Sequence, residues 1–329
     1  MKFVYVLVSD NSDYFYEECY ISVLSLRKHN KNAEIIVFVD DVTNESLVGF
    51  RGEIRRIADV KEVFFDKNVD KKQRSRLLKT TLRKMITGRF VYIDTDTVIS
   101  DSLESLEYIK LDIGMVLDKH TLLQDNYCAR KYQYYANIIK GEAGVDNKHF
   151  NGGFMVVDDS EVAHKFFELW EQGYKECVKK GISIDQTSLN NTNAKMGGVI
   201  TELDGSWNVQ LDCGLKYIYD AKILHYTGYQ PLNLQNRYFN SLPFELCNSS
   251  FFDRIKQEES IIDEVLEVID NPKKSFKITY MVPNDCVAYH LLFSNHFRIL
   301  KYLFVKKKGL FLSFERIYAY IFRKMFNRV

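Results

Sequence analysis

Proline is scarce in this chain, 4 residues in 329, and glycine is limited to 16. Those counts exclude collagen-like repeats and Pro/Gly-rich low-complexity architecture. The six cysteines (Cys19, Cys128, Cys177, Cys213, Cys247 and Cys286) are scattered, with no CxxC pair and no metal-finger spacing. Neither a disulfide framework nor a structural zinc site is indicated, and the cysteines read as reduced core thiols. No apolar stretch approaches the ~18 residues needed to cross a bilayer. At the start, MKFVYVLVSD has a run of six apolar residues before Asp10, too short for the core of a signal peptide. A cytoplasmic location is the resulting expectation. Net charge is also nearly absent, 45 Lys+Arg against 44 Asp+Glu, which excludes a general nucleic-acid binder. No internal repeat occurs at solenoid periods.

What the chain does have is apolar substance, 46% of its residues, enough for one large or two modest cores. Its charge is unevenly spread. Residues 273–329 hold 12 Lys/Arg and 2 Asp/Glu, a balance of +10, while residues 1–272 hold 33 Lys/Arg against 42 Asp/Glu, or −9. The C-terminal end is a distinct basic piece.

The N-terminal part reads as an open α/β sheet. Phe3 to Val8 is a β-branched and aromatic run that stops at Ser9-Asp10-Asn11-Ser12, as a buried strand ending in a polar loop would. Tyr16, Tyr20, Val23, Leu24 and Leu26 recur at helical spacing and are closed by Arg27 to Asn32. Glu34 to Val39 is a second buried strand, which completes a βαβ unit. A short strand is predicted around Arg55 to Ile57, a basic helix over Lys71 to Ile86, and a strong strand over Arg89 to Ile93 ending at Asp94. Runs at Ile113 to Leu117 and Phe154 to Val157 extend the sheet, and a helix from about Ser160 covers it. Ligands of such sheets bind beyond the carboxyl ends of the strands where strand order reverses, and Asp10 and Asp94 lie at such ends. After Pro243 the pattern turns to helices, Phe251 to Ile269, then a break at Asn271-Pro272 and the basic aromatic tail. The expected division is a catalytic domain over 1–242 and a helical extension over 243–329.

Asp94-Thr95-Asp96 puts two carboxylates at i and i+2 where the strand FVYI ends, able to turn toward one hard divalent cation and the phosphates of a nucleotide. The same tripeptide also suits plain turn chemistry. His225, in ILHYTG, is able to complete a mixed oxygen and nitrogen site of the kind Mn²⁺ accepts, or to be a core histidine bonded to backbone. Asn151-Gly152-Gly153 offers an amide on a backbone of little bulk, either a ligand approach or a bulge. Asp185 and Gln186 stand at a helix start, where Asp185 would also serve as a cap. Arg74 and Arg76 are able to clamp phosphate, although a solvated basic face is the commoner use of such a helix.

The order of these features resembles family 8 glycosyltransferases of the GT-A fold, retaining enzymes that use nucleotide sugars. The resemblance covers about residues 2–232 through VLVSDNSDYF, SRLLK, VYIDTDTVI, FNGGFMVVD and SIDQTSLN, followed by SWNVQ and LHYTG. It implies an α/β GT-A sheet with a C-terminal helical extension. Asp94, Asp96 and His225 would be the metal ligands, with Mn²⁺ (or Mg²⁺) set against the diphosphate of a donor that leans toward UDP. By the same carry-over Ser9, Asp10 and Ser12 lie along the base and ribose, and Thr95 and Gly228 count among the residues that bind the nucleotide sugar. Arg76 reaches the donor, with Arg74 as the alternative. Asn151 and Gly153 line the sugar pocket, and Asp185 with Gln186 act nearest the reacting carbon. Two positions depart from the family pattern. Thr187 replaces the last acid of DQD, and Tyr229-Gln230-Pro231-Leu232 lacks the lysine that grips the diphosphate, a task that falls to Arg237, Arg76 or the metal alone.

The activity implied is transfer of a hexose, galactose or glucose, to a surface glycan or lipid-linked acceptor, as in bacterial lipopolysaccharide and capsule enzymes. Two other readings stand beside it. DTDTV also fits the nucleophile motif of haloacid-dehalogenase-like phosphatases, with Asp94 attacking phosphorus, although that motif belongs on a first strand and two strands precede it here. A sugar-nucleotide-binding protein without turnover is the third. In the tail, Phe311, Phe314, Tyr318, Ile321 and Met325 share one helical face with Arg316, Arg323 and Lys324 largely off it, as in a helix resting on an anionic membrane. The expectation is a peripheral protein at the inner face of the membrane, with packing of that face on the catalytic domain as the alternative.

Overall fold

Strand β1 (Lys2–Leu7) sends alternate side chains to opposite faces, as a pleated strand must, and both sets are buried. Phe3, Tyr5 and Leu7 enter one apolar cluster, and Val4 and Val6 enter another. This central strand is therefore covered on both sides, which explains the unbroken apolar run. The computed structural model describes residues 1–66, 68–126, 128–210, 217, 220–226, 249–270 and 272.

Helix α1 (Phe15–His29) returns the chain to β2 (Glu34–Asp40), which pairs parallel to β1. A short α2 (Asp41–Ser46) follows, capped by Asp40. The strand predicted at Arg55 to Ile57 is instead the end of a 3₁₀ segment, Gly49–Arg56. The strand itself, β3, is Asp59–Val63. It is an exposed edge pairing with β2 alone among the described residues, so it carries charge instead of the apolar run that marks an inner strand. Helix α3 (Lys71–Met85) starts at an Asp70 cap and leads to β4 (Phe90–Ile93) and the short β5 (Thr97–Ile99). Then come β6 (Ile113–Leu117), α4 (Ala129–Ile139), β7 (Phe150–Val157), α5 (Glu161–Lys179), α6 (Asp185–Lys195) and β8 (Ile200–Glu202).

The main sheet runs β3-β2-β1-β4-β7-β6-β8. Strands β1 to β4 are mutually parallel where they pair, and β7 is antiparallel to both β4 and β6. Strand order reverses at β1, with β2 on one side and β4 on the other, and this places the crevice of the sheet beyond the carboxyl ends of β1 and β4. A second sheet, β5 with β9 (Val209–Gln210) and β10 (Ile223–His225), brings residues 97 and 225 into register.

The helix predicted over Phe251 to Ile269 is two helices, α7 (Ser249–Glu258) and α8 (Asp263–Asp270). Glu259 adopts a left-handed φ of 47° between them. Phe252, Ile255, Val265 and Val268 share a third cluster with Ile21, Val98 and Leu224, so these helices pack on α1 and the small sheet. Cys19 and Cys177 are buried and Cys128 is partly so, all three as free thiols. Among the described residues no helix is long and apolar enough to cross a membrane. The 242/243 boundary, the basic tail, Gly228 and Arg237 lie outside the described residues.

Candidate active site

A cavity of about 460 Å³ opens at the switch point, lined by the ends of β1 and β4, by Lys71, Lys72 and Arg76 of α3, and by Asp94, Thr95 and Asp96. Its walls are built from two directions. The β4 strand ends at Ile93, and the next residues turn: the Asp94 N–H donates to the Gly153 carbonyl at 2.8 Å, and the Tyr226 N–H donates to the Asp96 carbonyl at 2.9 Å. Strand β10 thereby delivers His225 to the two acids, although it lies 129 positions after Asp96 in the chain. Ligand atoms of Asp94, Asp96 and His225 all lie within 4.8 Å of one another.

The orientation of each group is set by its neighbours. The Lys79 ammonium donates to Asp94 Oδ1 at 3.1 Å and the Tyr92 hydroxyl donates to the same oxygen. The other Asp94 oxygen is left without either bond. His225 Nδ1 lies 3.0 Å from Asn208 Oδ1, and an amide oxygen only accepts, so Nδ1 carries the hydrogen. His225 Nε2 then faces Asp96 Oδ1 at 3.2 Å, two acceptors that require a cation between them, a proton or a metal. Burial opposes ionisation of Asp96, but the adjoining His225 charge and hydrogen bond hold its carboxyl below the ordinary range. Asn208 is held in turn. Its amide N–H donates to Asn151 Oδ1 at 3.1 Å, Asn151 donates to Asp118 Oδ1 at 2.9 Å, and Asp118 Oδ2 accepts from the Tyr132 hydroxyl at 2.7 Å. Such outer partners fix the tautomer and direction of a ligating imidazole.

Asn151, Gly152 and Gly153 lie inside β7, which starts at Phe150 and not at Phe154 where the strand was predicted. At Gly153, though not at Gly152, glycine is required by close approach. A Cβ on Gly153 would stand 2.3 Å from His225 Cε1, and one on Gly152 would stand 3.4 Å from Lys79 Nζ. The Asn151 side chain is buried and its amide is spent on Asp118, Asn208 and the Gly153 N–H.

Asp185 does not cap its helix. It is the first residue of α6, whose cap is Ile184 with no side-chain bond. Its carboxylate instead pairs with Arg76 Nε at 3.2 Å and Lys79 Nζ at 3.5 Å. The Asp185 charge, with Asp94 behind it, outweighs the opposing effect of burial and holds the Arg76 guanidinium firmly protonated. The two arginine candidates lie in different surroundings. Arg76 lines the cavity, whereas Arg74 pairs with the buried Asp40 at 2.8 Å.

At the end of β1, Lys71 bonds Asp10 Oδ2 at 2.7 Å and the Ser12 N–H bonds Asp10 Oδ1 at 2.8 Å. The Lys71 ammonium, then Ser12, hold the Asp10 carboxyl well below the usual range. Ser9 is buried, with its hydroxyl donating to Asp13 Oδ1 at 2.8 Å and accepting from Arg51 at 3.1 Å.

Nothing in the local sequence pattern assigns a role to Lys79, Asn208, Asp118 or His149. Lys79 stood inside SRLLK and Asn208 inside SWNVQ, but the burial that gives them partners is a tertiary property. His149 is 1% exposed, and its Nε2 lies 3.0 Å from Gln186 Nε2.

Residues 6–231 match the model described as glycosyl transferase family 8, and the chain belongs to that family. It is a glycosyltransferase, which sets aside the phosphatase and the binding protein without turnover. Among solved structures it is similar to an active-site mutant of LgtC, at 13% identity and a TM-score of 0.52, over 80% of this chain and 98% of that one. It is also similar to the apo WbbM bifunctional glycosyltransferase, at 18% identity and a TM-score of 0.51, over 82% of this chain and 51% of that one. Both likenesses are of fold, and they place the mixed sheet in the GT-A architecture. No curated protein matches the chain by sequence.

Proposed function

We propose that the chain is a retaining hexosyltransferase that moves galactose or glucose from a UDP-sugar to a surface-glycan or lipid-linked acceptor, with Mn²⁺ or Mg²⁺ at Asp94, Asp96 and His225. The observation that carries this reading is the convergence, at one switch point, of the carboxylate and imidazole cluster with the Arg76, Lys79 and Asp185 ion pairs. Two carboxylates and one imidazole suit a divalent ion of intermediate hardness. Bound there, that ion would supply Lewis-acid stabilisation of charge developing on the leaving diphosphate.

The residues of the chain do the remaining work. Asp10 and Ser12 offer polar atoms to the nucleoside, and Arg76 offers a permanent cation to the donor. Asp185 supplies negative charge, and Gln186 an amide dipole, near a sugar that gains oxocarbenium character. An amide is a poor nucleophile, so acceptor attack on the face the diphosphate leaves is favoured over a covalent glycosyl-enzyme. Residues 1–242 carry the catalysis. The +10 balance of residues 273–329 supports contact of the extension with an anionic membrane surface. Co-sedimentation with anionic liposomes, comparing the full chain with one ending at Asn271, tests that contact, and equal pelleting of the two would refute it.

The donor is tested by thermal shift and by UDP release with UDP-galactose and UDP-glucose, each with and without Mn²⁺. A donor present at a hundred times its Kd adds about 2.7 kcal/mol to folding, an easily read shift. Absence of both shift and UDP release would refute the donor assignment. Asp185→Asn and Gln186→Ala should lower kcat and kcat/KM together with KM nearly unchanged. Asparagine is the better probe at 185 because alanine would also leave Arg76 and Lys79 without their shared partner. A large rise in donor KM at constant kcat would reassign the pair to ground-state binding.

A further inference from the structure

We infer that His149 is a positioning residue for glycosyl transfer, fixing the Gln186 side chain with its NH₂ end inward and its carbonyl oxygen outward. The inference rests on the reading of Gln186 as a residue near the reacting carbon. It follows from two backbone groups whose polarity is not open to choice. His149 Nδ1 is in hydrogen-bond contact with the Ala143 carbonyl, which only accepts, so Nδ1 carries the hydrogen. In the neutral ring Nε2 is then an acceptor. Burial, the largest influence on His149, favours that neutral form and lowers its pKa.

Two amides approach Nε2: Gln186 Nε2 at 3.0 Å and Asn190 Nδ2 at 3.3 Å. The Asn190 orientation is set by the second backbone group, because its Oδ1 accepts from the Phe150 N–H at 2.7 Å. Its NH₂ then has two carbonyls at 3.0 Å, those of Phe150 and Gln186, and two hydrogens to give them. The His149 acceptor is left to Gln186. The Gln186 NH₂ must therefore face the imidazole and Oε1 must face away from it, on the side of the Gly152 N–H, 3.5 Å distant.

The imidazole has little freedom to yield. It stacks on Tyr132 with centroids 3.9 Å apart and planes 10° from parallel, and Tyr132 is itself tied to Asp118. A wrongly turned amide would set its NH₂ where oxygen is needed beside a cationic sugar, and misplacement on that scale costs on the order of 10²-fold in rate.

The test uses the full chain with UDP-galactose and UDP-glucose in Mn²⁺, following UDP release. His149→Phe keeps a ring against Tyr132 and removes the acceptor. It should lower kcat roughly 10²-fold with donor KM within about twofold. In the Gln186→Ala background it should cost nothing further. His149→Gln, which places an oxygen near the site of Nε2, should recover most of kcat, and His149→Met repeats the comparison should the phenylalanine variant fail to fold. Multiplying losses in the double variant, or a glutamine variant as poor as the phenylalanine one, would overturn the proposal. If Gln186→Ala is impaired while His149→Phe keeps full kcat, His149 is refuted and the Gln186 reading stands. If Gln186→Ala keeps full kcat, both fall. Nitrogen-15 shifts of the His149 ring need no donor: an Nδ1–H tautomer is expected, and an Nε2–H tautomer would refute the inference.

Discussion

Asp96→Ala should reduce glycosyl transfer by on the order of 10³-fold or more while the protein stays folded. Asp96 belongs to none of the apolar clusters, and among the described residues the one side-chain partner of its carboxylate is His225 at 3.2 Å. The backbone bond from the Tyr226 N–H to the Asp96 carbonyl survives truncation, so β10 keeps its place and the loss of folding stability stays near 1 kcal/mol. Mn²⁺ titration by calorimetry should show affinity lost in this variant and weakened less in His225→Ala, which keeps both carboxylates. Turnover by Asp96→Ala at the parent rate in EDTA would end the metal-assisted reading.

The sheet was legible because its inner strands are buried on both faces and so appear as apolar runs. The edge strand Asp59–Val63 was not, since one partner strand demands little apolar surface and its charged residues look like a loop. The acids at 94 and 96 were visible because a strong strand stops at them. His225 has no such local signal. Its context in ILHYTG suits a core histidine as well as a ligand, the order of motifs along the chain is what favours the ligand, and a sheet pairing formed by residues 97 and 225 brings it near.

Lys79 shows where a linear reading ends. It lies on a helix with Lys71, Lys72, Arg74, Arg76, Arg83 and Lys84, a pattern that suggests a solvated basic face. The helix is instead pressed into the molecule, and its cations divide among separate acids: Lys71 takes Asp10, Arg74 takes Asp40, Arg76 takes Asp185, and Lys79 bridges Asp94 and Asp185. Spacing along the helix carries none of those pairings, since every acid comes from another element. His149 and Asn208 were hidden for the same reason, as buried polar residues are recognisable only by the partners that justify their burial.

Gly153→Ala is expected to be the most damaging single-methyl change in the site. The added Cβ would meet His225 Cε1 at 2.3 Å, with His225 Nδ1 and Asn151 Oδ1 both at 2.9 Å. Neither side has an easy retreat. Gly153 is held in β7 by the Asp94 N–H on its carbonyl at 2.8 Å and by its own N–H on Asn151 at 2.9 Å. His225 is held by pairing with β5 and β9 and by Asn208 at its ring. The imidazole must therefore tilt out of line with the carboxylates, and the overpacking should cost roughly 1–3 kcal/mol of stability. Mn²⁺ affinity should fall 10- to 100-fold or more, as when a ligand loses its orientation, and turnover should fall with it. Gly152→Ala is the control. Its Cβ would come no closer than 3.4 Å to anything, and that atom is the end of the Lys79 side chain, so metal affinity should stay near that of the parent. Equal metal affinity and turnover in the Gly153→Ala variant and the parent would show that the His225 ring has room to move, and would remove close packing as the reason for glycine at this position.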